Sequence, residues 1–202
     1  MARSAASYIS YGLYVVTANE YKDNGCITNT ACQVTTAPNR ISLAVNKTNL
    51  THDMIAHTGL FNVSILSEEA PFSTFTRFGF QSGRAADKFD GFGEVARSEN
   101  GLYYLTSGSN AFLSAKVFQS IDLGTHTLFL ADVTEEAVLN EAPSMTYAYY
   151  HAKVKPQPEK PRKTVWRCKI CGYEYEGEEL PADFTCPWCK HGPEDFEKIV
   201  VE

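Results

Sequence analysis

Residues 166–199 read WRCKICGYEYEGEELPADFTCPWCKHGPEDFEKI, with Cys168 and Cys171 as one Cys-x-x-Cys pair and Cys186 and Cys189 as another. Two intervening residues let the chain turn and aim both sulfurs of a pair at one ion. Two such turns face to face make a tetrahedral four-sulfur site. Fourteen residues separate the pairs. Gly172 follows the first pair, where glycine permits the twist that turns amide hydrogens toward sulfur. A module of about 38 residues cannot hold itself by a core alone, so a metal is expected as its staple. Geometry does not choose between iron and zinc, since both accept four thiolates. The aromatics Trp166, Tyr173, Tyr175, Phe184, Trp188 and Phe196 do bear on the choice. An apolar shell limits solvent access and tunes a redox potential, which serves iron more than redox-silent zinc.

Upstream lies AKVKPQPEKPRKT, residues 152–164, with three prolines and five basic residues. It has almost nothing to bury and reads as a tether extended by proline and self-repulsion. Residues 1–151 carry 9 basic and 14 acidic side chains, and residues 165–202 carry 4 and 9. The short basic stretch between them contains no aromatic residue, so a solvated linker is expected and nucleic-acid binding is not. No run of eighteen apolar residues exists, and no secretory signal is read at the start. The expected setting is therefore reducing and cytoplasmic, where cysteines bind metal or stay free.

The larger segment, 1–151, reads as mainly β. Short β-branched runs fall at 13–18, 30–36, 41–45 and 60–66. Over 111–121, Leu113, Ala115, Val117 and Ile121 alternate with Phe112, Ser114, Lys116 and Ser120, a period of two that predicts a half-buried strand. A turn at 122–124 predicts a neighbouring strand over 127–133. A short helix is expected over 50–58, with Asn49 to cap its start and Gly59 to end it. A second is expected near 71–78. Many strands with few helices suggest a closed sheet, a small barrel. The polar residues Asn29, Thr30, Gln33, Asn46, Lys47, Asn49 and Thr51 fall at strand ends and at the first helix start. Lys47 before a helix N-terminus makes a modest anion site, or the group is a set of solvated turns. Arg84 and Lys88 could add phosphate contacts or be simple surface charge. Cys26 and Cys32, not spaced as a metal pair, read by default as small buried hydrophobes.

Two family resemblances follow. The cysteine stretch resembles rubredoxin in its Cys-x-x-Cys-Gly-Tyr opening, its Cys-Pro-x-Cys second knuckle and Phe196 seven residues on. Its shorter spacer is closer to the rubredoxin-like domain of rubrerythrins. Lys190 stands where that family has glycine, and must adopt a less comfortable backbone angle. The stretches NGCITNTACQVTTAPNRISLAVNKTNLTHDMIAHTGLFNVSIL and FGFQSGRAADKFDG resemble the FMN-binding split barrel of the flavin reductase-like family, as does GTHTLF before Asp132 and Val133. The fusion of the two resembles the high-molecular-weight rubredoxin class. The resemblance implies FMN, with Asn29, Thr30, Ala31, Cys32, Gln33 and Val34 along the isoalloxazine. It implies Asn46, Lys47 and Thr51 at the ribityl and phosphate, with Ser82 and Arg84 helping to close over the phosphate. It also implies a homodimer, and electrons passing from NADH to a flavodiiron protein that reduces oxygen or nitric oxide. His126 matches a family stretch in which Thr125 here replaces an acid, and is read as structural rather than catalytic. The other four histidines are read as surface or packing residues.

The expected activity is thus electron transfer from NAD(P)H through FMN to a four-cysteine iron and on to an external acceptor. No catalytic side chain is named, because hydride transfer to a flavin needs no acid or base. No Rossmann glycine fingerprint is present, so the nicotinamide is expected to bind transiently against the flavin. The alternative is a flavin or ferric reductase whose C-terminal module is a zinc-stapled docking domain.

Overall fold

The computed structural model describes residues 4–156 and 163–201. The chain divides into two compact units, residues 1–155 and 156–202. Residues 157–162 of the stretch read as a linker lie outside the described residues. Its first residues do not: Tyr150–Val154 closes a helical turn.

The larger unit is built on one antiparallel sheet in the order β2-β1-β5-β8-β9-β4-β3. Its strands in chain order are β1 (Tyr14–Asn19), β2 (Asp23–Thr28), β3 (Cys32–Thr36), β4 (Asn39–Asn46) and β5 (Leu60–Leu66). A small two-stranded ribbon of β6 (Val95–Arg97) and β7 (Tyr103–Leu105) precedes the long pair β8 (Ser109–Asp122) and β9 (His126–Val138). Cys26 of β2, Ile41 and Leu43 of β4, Val63 of β5 and Phe129 of β9 share one core with Met54 and Ile55 of helix α1 (Leu50–Thr58). Residues from both ends of the strand order therefore meet, which means that the sheet curves around α1. The edge strands β2 and β3 follow each other in the chain without pairing. Between them Thr30 Oγ1 donates to the Ala44 carbonyl of β4 at 2.6 Å.

Helix α1 has the expected bounds, and Gly59 ends it in the left-handed region at φ 69°. Asn49 occupies the cap position in an extended conformation, but its side chain makes no capping bond. The second helix, α2 (Phe72–Gly79), packs Phe75 and Phe78 into a separate aromatic cluster with Leu13, Tyr150, Phe89 and Phe92.

Strand β8 departs from the half-buried reading. Phe112 and Ser114 are buried as well as Ala115, so its first half is covered on both faces. The Phe112 ring stacks on Tyr104 of β7 at 3.8 Å, so the small ribbon covers the face expected to meet water. Register shifts at Ser114/Ala115 and Val117/Gln119 then break the strict alternation. Strand β2 was not anticipated. Its sequence DNGCIT looks like a turn, yet Asn24, Gly25 and Cys26 are buried.

The smaller unit is a three-stranded antiparallel sheet in the order β11-β10-β12, from β10 (Lys163–Cys168), β11 (Glu174–Glu176) and β12 (Phe196–Val201). Its core is Cys168, Cys186 and Phe196, with Trp166, Tyr173, Leu180 and Phe184 packed against them. Val165 is buried too, so two of the four buried residues described in this unit are cysteines of the expected site.

Candidate functional site

In the smaller unit the two knuckles have the same backbone. The Gly172 amide donates to the Cys168 carbonyl at 2.9 Å, and the Lys190 amide to the Cys186 carbonyl at 3.0 Å. The Cys168 amide donates to the Tyr173 carbonyl at 2.8 Å, and the Cys186 amide to the His191 carbonyl at 2.9 Å. Repeating that turn requires a positive φ at the residue after each pair. Gly172 supplies it at 77°, and Lys190 adopts it at 63°, alone among the described non-glycine residues.

The four sulfurs lie within 4.8 Å of one another. Cys168 and Cys189 are 3.6 Å apart, and Cys171 and Cys186 are 3.5 Å apart. A tetrahedral ion with metal–sulfur bonds of about 2.3 Å needs sulfurs about 3.8 Å apart, so the donor set fits one ion. Burial raises the Cys186 thiol, but the Cys189 and Trp188 amides directed at its sulfur, together with the neighbouring Cys189 and Cys171 thiols, prevail and bring it down to about 6. The His191 amide lowers the Cys189 thiol, while burial and the three neighbouring cysteines push it up to about 12. Four sulfurs this close cannot all ionise without a cation among them, which is the electrostatic demand that a metal meets.

Cys168 and Cys186 are buried, whereas Cys171 and Cys189 are half-exposed. The site therefore has an inner and an outer side. Tyr173, Tyr175 and Phe196 pack around Phe184 on the inner side. Trp188, expected in that shell, instead projects into solvent at 69% exposure with its ring against Tyr173. Ile170 of the first knuckle is exposed too.

Seven of the residues expected at the flavin line one or other of two cavities, and Val34 lines neither. Asn29, Thr30, Ala31, Cys32 and Gln33 line an open cavity of about 700 Å³, together with Gly12, Tyr14 and the apolar side chains Ile41, Val63 and Leu113. A Cβ at Gly12 would overlap the Tyr14 hydroxyl, so glycine lets that ring fold back over the chain. Burial, with Cys32 nearby, raises the Tyr14 phenol. Cys32 itself is exposed rather than buried, because β3 is an edge strand whose five residues are all exposed.

Thr51 and Ser82 line a second, polar cavity of about 260 Å³ at the start of α1, with Asn24, Thr48, Gly83 and Lys88. Asn24 donates to Thr51 Oγ1 at 2.9 Å, while its buried Oδ1 has no partner. A Cβ at Gly83 would overlap that oxygen. Exchanging the amide oxygen and nitrogen lets Thr51 donate to Oδ1 and turns the NH₂ away from it, an assignment that the hydrogen-bond network decides. An orphaned buried amide, small hydroxyls, a helix N-terminus and a buried lysine suit the phosphate end of a flavin mononucleotide.

Lys88 is neither a surface charge nor a carboxylate partner. It is 3% exposed, and its Nζ donates to the Gly25 carbonyl at 2.8 Å and the Phe78 carbonyl at 3.0 Å. Burial lowers its pKa. Three other expected phosphate residues line neither cavity. Asn46 Oδ1 accepts from the Thr48 amide, Lys47 pairs with Asp122 at 2.6 Å, and Arg84 pairs with Asp53 at 2.6 Å. Asn24, Tyr14 and Gly12 were not expected from sequence. Tyr14 and Asn24 lie within otherwise ordinary strands, and Gly12 lies just before β1.

The histidines are spent on local contacts. His52 bridges Asp53 and Thr127, His57 meets Glu20, and His126 meets Thr125. His191 Nδ1 lies 3.0 Å from the Cys189 carbonyl at the second knuckle.

A half-exposed four-cysteine centre in one unit, and an apolar and a polar cavity in the other, fit a four-thiolate metal module joined to a cofactor-binding domain. The chain matches the flavin reductase like domain family over residues 6–157 and the rubrerythrin, rubredoxin-like domain family over residues 166–197. It belongs to the flavin reductase-like family, with a rubredoxin-like domain following. It is 38% identical to the high molecular weight rubredoxin of Moorella thermoacetica over 230 residues, covering 98% of this chain and 100% of that one. It is 40% identical to a ferric-chelate reductase (NAD(P)H) of Archaeoglobus fulgidus over 148 residues, covering 73% and 87%. The fold is similar to that of the NADH:FAD oxidoreductase SgcE6 of Streptomyces globisporus C-1027, solved with NAD and FAD fragments. There the TM-score is 0.62 and the identity 21%, covering 76% of this chain and 88% of that one. The larger unit is thus a flavin-binding reductase domain, and the four cysteines hold one iron.

Proposed function

We propose that the chain takes electrons from NAD(P)H, NADH in particular, and delivers them singly through its four-cysteine site to an external acceptor, a flavodiiron protein that reduces oxygen or nitric oxide. The observation that carries this reading is the presence in one chain of a flavin reductase domain and four preorganised thiolates. Bound flavin accepts two electrons as hydride and gives them up one at a time, and a four-thiolate iron carries one.

The chain's own residues bind and orient. Asn29 to Gln33 offer backbone and small polar groups to an isoalloxazine, with Ile41, Val63 and Leu113 as the apolar wall. Asn24, Thr51, Ser82 and Lys88 meet the ribityl phosphate. Asn46, Lys47 and Arg84, assigned there by resemblance, support the phosphate loops through their ion pairs and turns. No side chain acts as acid or base. The half-exposed Cys171 and Cys189 form the side from which an electron leaves. The acidic composition of residues 165–202 suits a partner with a basic patch. The fully exposed edge strand β3 supports a homodimer, and the proline-rich stretch within 152–164 a tether, in a reducing, cytoplasmic setting.

The test is an anaerobic visible spectrum before and after NADH. Overlapping flavin and ferric-thiolate bands that both bleach are expected. A flavin band alone favours the second reading, a flavin or ferric reductase with a zinc-stapled docking domain. Removal of residues 152–202 should abolish turnover with the acceptor while sparing flavin reduction; retained acceptor turnover would end the relay.

A further inference from the structure

Beside the flavin cavity lies a second groove of about 740 Å³, lined by the rings of Tyr8, Tyr11, Tyr147 and His151. The two cavities share Ile9, Ser10 and Tyr11, so they adjoin along residues 9–11. The groove floor is anchored to the larger unit. The Tyr147 amide donates to the Tyr11 carbonyl at 2.8 Å and the Leu13 amide to the Met145 carbonyl at 3.1 Å, with a β-bridge between Gly12 and Thr146. The rings stand edge to face. Tyr11 and Tyr147 are 6.4 Å apart at 84°, and Tyr147 and His151 are 4.4 Å apart at 69°. Tyr8 is 77% exposed and Tyr147 41%, so both side chains are open to solvent along the groove.

We propose that this groove binds the adenosine half of the dinucleotide while its nicotinamide reaches the adjoining cavity. The inference rests on the NAD(P)H donor of the proposed function. Three observations lead to it. The sequence has no G-x-G-x-x-G fingerprint, so adenosine has no Rossmann turn to occupy. The adenosine is covalently tied to the nicotinamide through one pyrophosphate, so its subsite must adjoin the flavin cavity, as this groove does. Aromatic faces are what a purine base stacks on, and the hydroxyls of Ser10 and Thr146 are of the kind that meet ribose.

The experiment compares NADH with reduced nicotinamide mononucleotide, which lacks adenosine, as donors for flavin reduction in the full chain. For the wild type, the KM for the mononucleotide should exceed that for NADH by about tenfold or more. Tyr8→Ala and Tyr147→Ala should each raise the KM for NADH by about tenfold, with kcat unchanged and the mononucleotide KM unmoved. Tyr147→Phe, which keeps the ring, should restore the NADH value. Tyr8 is so exposed that its loss does not threaten the fold, so one variant reports even if the other fails to fold. Equal KM values for both donors in the wild type, or no rise in either variant, would overturn the groove while leaving the NADH reading intact. A parallel rise for both donors would assign the residues to the flavin cavity instead. A change from dimer to monomer on sedimentation without a change in KM would make the groove a contact between copies. Flavin that stays oxidised with either donor would end the donor reading itself, and this inference with it.

Discussion

Lys190 provides the sharpest test of how the metal site is built. The two knuckles make matching hydrogen bonds, but one uses Gly172 at φ 77° and the other Lys190 at φ 63°. A residue with a Cβ in the left-handed region costs about 1–2 kcal/mol, because Cβ crowds the following carbonyl oxygen. Lys190→Gly removes that cost but adds about 0.4–1 kcal/mol through the greater freedom of glycine in the unfolded chain. The net expectation is a gain of roughly 0.5–1 kcal/mol. Gly172→Ala should do the reverse and lose roughly 0.5–1 kcal/mol net, since open space surrounds that position and only the backbone angle opposes a side chain. The assay is loss of the ferric-thiolate band in guanidinium, with the flavin band as an internal control for the other unit. With a slope of about 2 kcal/mol per molar, the Lys190→Gly midpoint should rise and the Gly172→Ala midpoint fall, each by roughly 0.3–0.5 M. A lower midpoint for Lys190→Gly would refute the reasoning. It would mean that the lysine side chain supports the knuckle by more than its backbone angle costs.

Three further outcomes are expected. Cys171→Ser should remove the ferric-thiolate colour and all transfer beyond the flavin, with flavin content per chain unchanged; loss of flavin would show that the two units do not fold independently. Because burial lowers the Lys88 pKa below its ordinary 10.5, the unfolded chain binds the extra proton between the two values. This group's contribution to stability therefore rises as pH climbs through the folded pKa toward 10.5. The raised Cys26 thiol beside it acts in the opposite sense, so the test is the difference between wild-type and Lys88→Met urea midpoints across pH 8–10, and a pH-independent difference would sink the argument. Trp188→Ala should slow electron delivery to the external acceptor several-fold while leaving NADH reduction of both centres intact, with rates that fall as salt rises. Equal acceptor rates for the variant and wild type would remove Trp188 from the docking face.

The metal site was legible because its geometry is local. Each Cys-x-x-Cys turn closes through bonds between residues no more than five apart, so spacing alone carries the information. Helix α1 was legible for the same reason, with its cap position and Gly59 adjacent in sequence to the ends they define. The larger unit's site was legible only in part. Asn29 to Gln33 form one short stretch and arrive together at one cavity. Asn46 and Lys47 sit at the right helix start, yet Thr48 and Asp122, the second of them 75 residues away, engage their side chains. Lys88 read as either a phosphate contact or simple surface charge, because nothing near it in sequence indicates burial. The carbonyls of Gly25, 63 residues away, and of Phe78 hold it.

The split in the sheet accounts for what kind of signal was missing. Strands β2 and β3 end the sheet on either side, so each has an edge that no other strand of the sheet pairs. Backbone amides and carbonyls at such edges need other partners. Lys88 supplies one at Gly25, the Thr30 hydroxyl stitches the β2–β3 connection to β4, and the cavity at Asn29 to Gln33 leaves that connection open to a ligand. A flavin held there, as proposed, would be recognised by main-chain groups and by small polar side chains. Main-chain groups are the same for every amino acid and write no pattern into the sequence. Four thiolates, by contrast, can only be cysteines. The same physical difference makes the metal ligands individually indispensable. It also predicts that single side-chain substitutions in the 29–33 segment weaken flavin binding by degrees, whereas any cysteine change in the 168–189 segment removes the iron site altogether.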